Sequence, residues 1–184
     1  MNDRISVLID DQVSDQQRAD FFTFEEKCFE KDLKSHRDLL YFSQPFAHIF
    51  LNDNGKLISY LRVFIRKVSW KNQEIALGGV GSVATDQKYR GKGIATQLLK
   101  KAMKLLKREH VDFAILQTYI PKGEKLYGQV GFYPANKGYT FFDAEDQLRA
   151  IKAKNVMVAP IENKVILEEV LQNEELIHIG KGDW

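Results

Sequence analysis

The stretch Val83-Ala84-Thr85-Asp86-Gln87-Lys88-Tyr89-Arg90-Gly91-Lys92-Gly93-Ile94-Ala95-Thr96 decides how this chain is read. A strand ends, a basic loop with two glycines follows, and a helix begins. The first turn of a helix carries N–H groups without intrahelical partners and a partial positive charge. Glycines let an anion approach that backbone, and Arg90 and Lys92 add full charges. The arrangement fits a pyrophosphate. No G-x-x-x-x-G-K-[ST] occurs, which argues against a P-loop nucleotidase. Gly79-Val80-Gly81-Ser82-Val83-Ala84 matches a dinucleotide fingerprint by letter, but it lies inside a strand rather than between a strand and a helix.

Reading outward, the helix runs to about Arg108, with Ile94, Ala95, Leu98, Leu99, Ala102, Met103 and Leu106 on one face. Lys100, Lys101, Lys104, Lys107 and Arg108 form a solvated face. Phe113–Thr118 is the next strand, parallel to Glu74–Thr85 because a helical crossover favours that arrangement. Upstream, His48–Asn52, Leu57–Trp70 and Glu74–Thr85 are antiparallel, with Asn54-Gly55 as a tight hairpin turn. A short strand at 5–9 precedes a helix opened by Ser14, with Gln17 completing a capping box. A second helix is expected over 33–43. Downstream come a helix near Gly123–Val130, a strand at Tyr139–Phe142, helical character over 144–154, and a strand at Val156–Ala159. Residues 162–172 are ambiguous, and Leu176–Ile179 reads as a last strand. The whole is one mixed α/β (α+β) domain over 1–184, with 143–184 as an extension packed on it.

Composition supports an ordinary globular domain: 184 residues, 44% hydrophobic, with 12 Phe, 7 Tyr and 2 Trp to fill a core. The single cysteine, Cys28, excludes an internal disulfide framework and suits a reducing cytoplasm; it reads as core. The net charge of +2 hides a segregation: residues 1–38 carry −4, 39–161 carry +10 and 162–184 carry −4. The middle attracts an anion and the ends a cation. No targeting or membrane segment is read. The four histidines have no ligand-like spacing, so no metal is expected, and no nucleic-acid module is recognised.

Arg90-Gly91-Lys92-Gly93-Ile94-Ala95 resembles the [QR]-x-x-G-x-[GA] signature of the GNAT superfamily of acyl-CoA N-acyltransferases. Leu126-Tyr127-Gly128-Gln129-Val130-Gly131-Phe132 resembles that family's second segment, a tyrosine followed four residues later by Gly-Phe. The resemblance covers roughly residues 46–142 and matches in element order. It implies acetyl-CoA as cofactor, held by Val83, Thr85, Arg90, Gly91, Lys92, Gly93, Ile94, Ala95 and Thr96. It also implies direct transfer to an amine, with Tyr127 as general acid to the departing thiolate and backbone N–H near Val83 polarising the carbonyl.

The hairpins, the Val156–Pro160 strand and the tail Gly182-Asp183-Trp184 are similar to aminoglycoside 2'-N-acetyltransferases. That resemblance implies a small cationic amine as acceptor, held by Asp183 and Trp184, by Thr118 at the place of a family serine, and by Asp32 and Asp38 in the early helical region. A homodimer in the cytoplasm, without membrane or nucleic-acid partners, is the matching expectation. The strand glutamate of that family falls at Gly81 here, a second carboxylate falls near Lys152 and Lys154, and the tail is one residue shorter. The base is therefore open between a backbone-held water and the Trp184 carboxylate. Two alternatives share the cofactor site: a GNAT enzyme for peptide N-termini or another metabolite amine, and a coenzyme A-binding module without turnover.

Overall fold

The computed structural model describes residues 5–33 and 43–184, without the side chains of 30–33. The expected helix over 33–43 and the expected substrate residue Asp38 lie outside the described residues, as does the side chain of Asp32. The strands are β1 (Ser6–Ile9), β2 (Ala47–Asp53), β3 (Lys56–Trp70), β4 (Gln73–Thr85), β5 (Phe113–Gln117), β6 (Tyr133–Pro134), β7 (Tyr139–Phe142), β8 (Leu148–Ile151), β9 (Val156–Pro160) and β10 (Ile177–Lys181). The helices are α1 (Asp15–Leu33), α2 (Ile94–Arg108), α3 (Ile120–Gly128) and α4 (Lys164–Gln172). One sheet has seven strands in the order β1-β2-β3-β4-β5-β9-β6, and a smaller one runs β10-β7-β8. The mixed α/β sheet with an antiparallel N-terminal half and a parallel β4–β5 pair is the one expected.

Local signals explain most element ends. The Ser14 backbone N–H donates to Gln17 Oε1 at 3.0 Å, while the Gln17 N–H donates to Ser14 Oγ, so the capping box forms. Asn54 and Gly55 both have positive φ, as a tight hairpin between β2 and β3 requires. One element differs from expectation, and one ambiguous stretch takes a definite form. Residues 148–151 form a strand, not a helix: the Asp143 side chain accepts from the Glu145 and Gln147 amides and closes a turn, and β8 then pairs antiparallel with β7. Residues 164–172 resolve as a helix, started by the Asn163 side chain accepting from the Ile166 amide.

β3 is buried on both faces, so its residues alternate between two cores. Leu61 and Val63 join Leu98, Leu99, Ala102 and Leu106 of α2. Tyr60 packs with Phe21, Phe24 and Phe50 under α1, and Phe64 packs with Tyr139, Phe141, Leu167 and Trp184 beneath the smaller sheet. β4 serves both sides through glycine. A Cβ at Gly78 would stand 2.9 Å from Leu106 Cδ2, so this position lets α2 approach closely. The two glycines that imitate a dinucleotide fingerprint, Gly79 and Gly81, lie in the same strand and pack against Trp184. Among the described residues no helix is long and apolar enough to cross a membrane.

A buried polar cluster ties α1 to β2 and β3. His48 Nε2 lies 2.7 Å from Asp10 Oδ1 and His48 Nδ1 lies 2.7 Å from the Tyr60 hydroxyl. Arg18 and Gln44 donate to the Asp10 carboxylate as well. Burial pushes the Asp10 carboxyl up, but hydrogen bonds from Arg18, Gln44 and His48 outweigh it and hold the group well below the usual range. Burial pushes His48 down. Both shifts favour the folded state at higher pH, because the unfolded chain takes up protons first. Unfolding stability should therefore fall as pH drops below about 6.5, by up to about 1.4 kcal/mol per pH unit from His48 alone. A second decline below about pH 4 comes from Asp10 together with Asp86 and Asp143, whose hydrogen bonds also hold their carboxyls down, and Asp183, which burial pushes up, works against it. Urea midpoints measured across this range check it. His48→Gln should shrink the first decline, leaving the part that His178, also pushed down by burial, contributes. An unchanged decline in that variant would remove the assignment.

Candidate active site

The end of β4 is interrupted before it reaches the loop. Its register with β3 runs from Arg62↔Gly81 to Tyr60↔Ala84, so Ser82 and Val83 oppose the single residue Leu61. Ser82 takes a left-handed φ of 53°, and the bulge kinks the strand before the ladder resumes at Ala84 and Thr85. On its other side β4 pairs with β5 only through Leu77, Gly78 and Gly79, although both strands continue. The parallel pair therefore splays beyond Gly79 and Ile115, and a cleft of about 520 Å³ opens at the β4 end.

The loop beyond β4 is held on several sides. The Asp86 side chain accepts from the Lys88 amide and from Lys27 Nζ at 2.7 Å. Arg90 Nε donates to the Thr85 carbonyl, and the Tyr89 hydroxyl donates to Asp53. Gly91 and Gly93 both have left-handed φ, 78° and 75°, which only glycine adopts at little cost. A Cβ at either would meet nothing within 4 Å, so the space in front of this backbone is open. Gly93 caps α2 without a side-chain bond, and no acid stands in the first turn. The first helical bond runs from the Gln97 amide to the Gly93 carbonyl, which leaves the amides of Ile94, Ala95 and Thr96 at the helix entrance.

Val83, Thr85, Arg90, Gly91, Gly93, Ile94, Ala95 and Thr96, all expected at the cofactor, line this one cleft. Lys92 is not in its wall; its ammonium lies over the Tyr89 ring, 5.1 Å from the centroid. The opposite wall comes from Lys125, Leu126 and Gln129 of α3 and the turn after it, and Thr96 Oγ1 donates to Gln129 Oε1 at 3.2 Å across the cleft. Cys28 and Phe29 of α1 close the cleft on a third side. Cys28, read as core, is thus half-buried at a rim, and burial pushes its thiol up. In the sequence the α3 wall was marked only by the family resemblance over 126–132, and the α1 wall had no sequence signal.

Tyr127 sits one residue beyond Leu126, half-buried, with its ring edge-on to Phe132 at 6.3 Å between centroids. Burial pushes its phenol up to about 12, while the nearby Thr118 hydroxyl pulls the other way. The phenol therefore keeps its proton throughout the neutral range. Thr118 follows β5 directly, and its own amide donates to the Asn155 carbonyl at 2.8 Å.

The tail lies on the face of β4 opposite α2. A Cβ at Gly79 would stand 2.5 Å from Trp184 Cε2, and one at Gly81 would stand 3.0 Å from the Trp184 carbonyl carbon. The indole is stacked against Phe64, and the Arg66 guanidinium lies 4.7 Å from its centroid. Gly81, the position of the absent strand glutamate, is thus covered by the main chain of Trp184. Asp183 is 1% exposed; it accepts from the Tyr139 hydroxyl at 2.7 Å, and burial pushes its carboxyl up. Its side chain faces the smaller sheet rather than the cofactor cleft.

This geometry defines a class: an α/β fold with an open glycine loop at a helix entrance, beside a splayed parallel strand pair. The sequence profile of the family described as "Acetyltransferase (GNAT) domain" matches residues 11–135. The chain belongs to that family, which makes it an N-acetyltransferase with acetyl-CoA as acyl donor. Among solved structures it is similar to the GNAT family N-acetyltransferase YhbS from Escherichia coli in complex with CoA, at 16% identity over 97% of this chain and 91% of that one, TM-score 0.61. An acyl-CoA N-acyltransferase from Pseudomonas aeruginosa is similar at 19% identity over 86% and 99%, TM-score 0.61. A probable N-acyltransferase from Enterococcus faecalis matches 73% of this chain, which spans only 33% of that protein, at 16% identity and TM-score 0.56. Likeness at these identities establishes the fold.

Proposed function

We propose that this protein transfers an acetyl group from acetyl-CoA to a small cationic amine, with aminoglycosides as the first acceptor class to test. The observation that carries the reading is the cleft itself: left-handed glycines with open space before them, amides at the α2 entrance, and an α3 wall in which Leu126, the chain neighbour of Tyr127, lines the cleft while Tyr127 does not. The loop of residues 90–96 holds the pyrophosphate with main-chain amides, reinforced by Arg90. Acetyl-CoA supplies a thioester that the free amine attacks, with a thiolate as leaving group.

The chain's residues handle orientation and protons. The backbone at the β4 bulge, around Val83, polarises the thioester carbonyl. The Tyr127 hydroxyl delivers its proton to the departing sulfur. A free thiol ionises near 8.5, so stepwise transfer from a phenol near 12 is uphill by about 3.5 units and proceeds as the S–C bond breaks. With no side chain at Gly81, the acceptor's ammonium proton leaves to a backbone-held water or to the Trp184 carboxylate, whose carbon would stand 3.0 Å from a Cβ at Gly81. The tail supports a small acceptor: Trp184 lies over Gly79 and Gly81, covering a sheet face that an extended peptide would have to cross.

The test is release of free thiol from acetyl-CoA in the presence of aminoglycosides, polyamines and short peptides. Turnover is expected with small polyamines or aminoglycosides. Turnover with peptide N-termini alone would overturn the acceptor assignment, and no thiol release with any acceptor would overturn the reaction.

A further inference from the structure

Tyr127 has a neighbour that the transfer chemistry has not yet used. β5 ends at Gln117, and the next residue, Thr118, is fixed by its amide bond to Asn155 before α3 begins at Ile120. Four residues before Tyr127, on the same side of α3, stands Gly123. A Cβ there would lie 2.5 Å from Thr118 Oγ1, 2.8 Å from Thr118 Cγ2 and 3.0 Å from Tyr127 Cε2. Gly123 has ordinary backbone angles, so its turn does not demand glycine; the convergence of these two side chains does. Glycine within a helix is unfavourable relative to alanine, and the helix accepts it where Thr118 and Tyr127 meet.

We propose that Thr118 is a positioning residue for the Tyr127 hydroxyl, and that Gly123 is the notch that lets the two groups touch. Thr118 stands where the aminoglycoside resemblance places a substrate contact, and the geometry gives it a different role. In the transfer step the Tyr127 O–H bond breaks and an S–H bond forms on the departing thiolate. The negative charge passes to the Tyr127 oxygen, which later regains a proton from water. A hydroxyl whose proton points at that oxygen stabilises the charged form more than the neutral one, since hydrogen bonds to ionised acceptors are the stronger kind. Thr118 thus acts through Tyr127, and the proposal rests on reading Tyr127 as the proton donor.

The experiment compares Thr118→Val, Thr118→Ser, Tyr127→Phe and the Thr118→Val/Tyr127→Phe double variant of the full chain. Each is assayed with acetyl-CoA and the amine that gives the fastest thiol release. Thr118→Val should lower kcat by about tenfold, one charge-assisted hydrogen bond's worth, with little change in either KM. Thr118→Ser should recover most of the rate, and the double variant should be no slower than Tyr127→Phe. Ultraviolet titration, with the Tyr127→Phe curve subtracted, should place the Tyr127 phenolate at higher pH in Thr118→Val and near wild type in Thr118→Ser. An impaired Tyr127→Phe with a fully additive Thr118→Val, or a Thr118→Val defect confined to the amine KM, overturns the Thr118 role alone. Full turnover in Tyr127→Phe removes the donor assignment and this proposal with it.

Discussion

Tyr127→Phe is expected to lower kcat by about a hundredfold or more while leaving the affinity for acetyl-CoA nearly unchanged. The expectation follows from what the substitution removes. The ring stays, and with it the edge-on packing on Phe132, so the fold of α3 has no reason to change. Only the proton donor is lost, and the thiolate must then leave without one. Because burial holds the phenol near 12, the residue remains protonated at every ordinary assay pH. Wild-type turnover should consequently rise through the alkaline range as the acceptor amine loses its proton, with no falling limb from Tyr127 below about pH 11. Stopped thiol-release assays and calorimetric titration of coenzyme A separate the two effects. Normal turnover in the phenylalanine variant would end the assignment.

Gly79→Ala should have the largest effect on the acceptor side. The new methyl group would overlap the Trp184 indole at 2.5 to 2.8 Å from three ring atoms. The indole cannot slide aside, because Phe64 stacks on it and Arg66 is bound both to its face and to the Gly182 carbonyl. The tail must therefore leave its seat, at a cost of about 3 kcal/mol, comparable to losing a large buried aromatic. The chain has two tryptophans, and Trp70 is buried elsewhere in the same core, so a red shift in emission reports Trp184 alone. The amine KM should rise, while coenzyme A binding at the α2 entrance stays intact. Unchanged emission and an unchanged urea midpoint would show that the tail tolerates the methyl group and that Gly79 is not its platform.

What could be read from residues alone follows a physical divide. The Ser14–Gln17 box, the Asn54-Gly55 turn and the α2 crossover are local devices, and each appears where its letters stand. The glycine loop of residues 90–96 was legible for the same reason, since its glycines and basic residues are contiguous. Residues 144–154 misled because Glu145, Gln147, Leu148, Arg149 and Ala150 favour helix, while pairing with β7 decides otherwise. α4 was ambiguous because Val165, Ile166 and Val170 lower its helix preference. The acceptor side was barely legible. Gly79 and Gly81 meet Trp184 across a hundred residues of sequence, and Gly123 makes sense only once Thr118 and Tyr127 are seen together. Asp183 looked like a substrate anchor by position, yet its carboxylate is turned to Tyr139.

The splay between β4 and β5 has a consequence for how such a protein diversifies. Beyond Gly79 the bulged end of β4, the glycine loop and the α2 entrance offer peptide groups, not side chains, to whatever enters. Peptide groups are common to every residue, so an anion site built from them depends on torsion angles more than on letters. Side-chain scanning across this segment would under-report its importance, and neutral drift can erase its spelling while its shape persists. A chain can then share a fold with proteins at 16–19% identity while the surfaces around that segment change, and here the tail packs over Gly79 and Gly81.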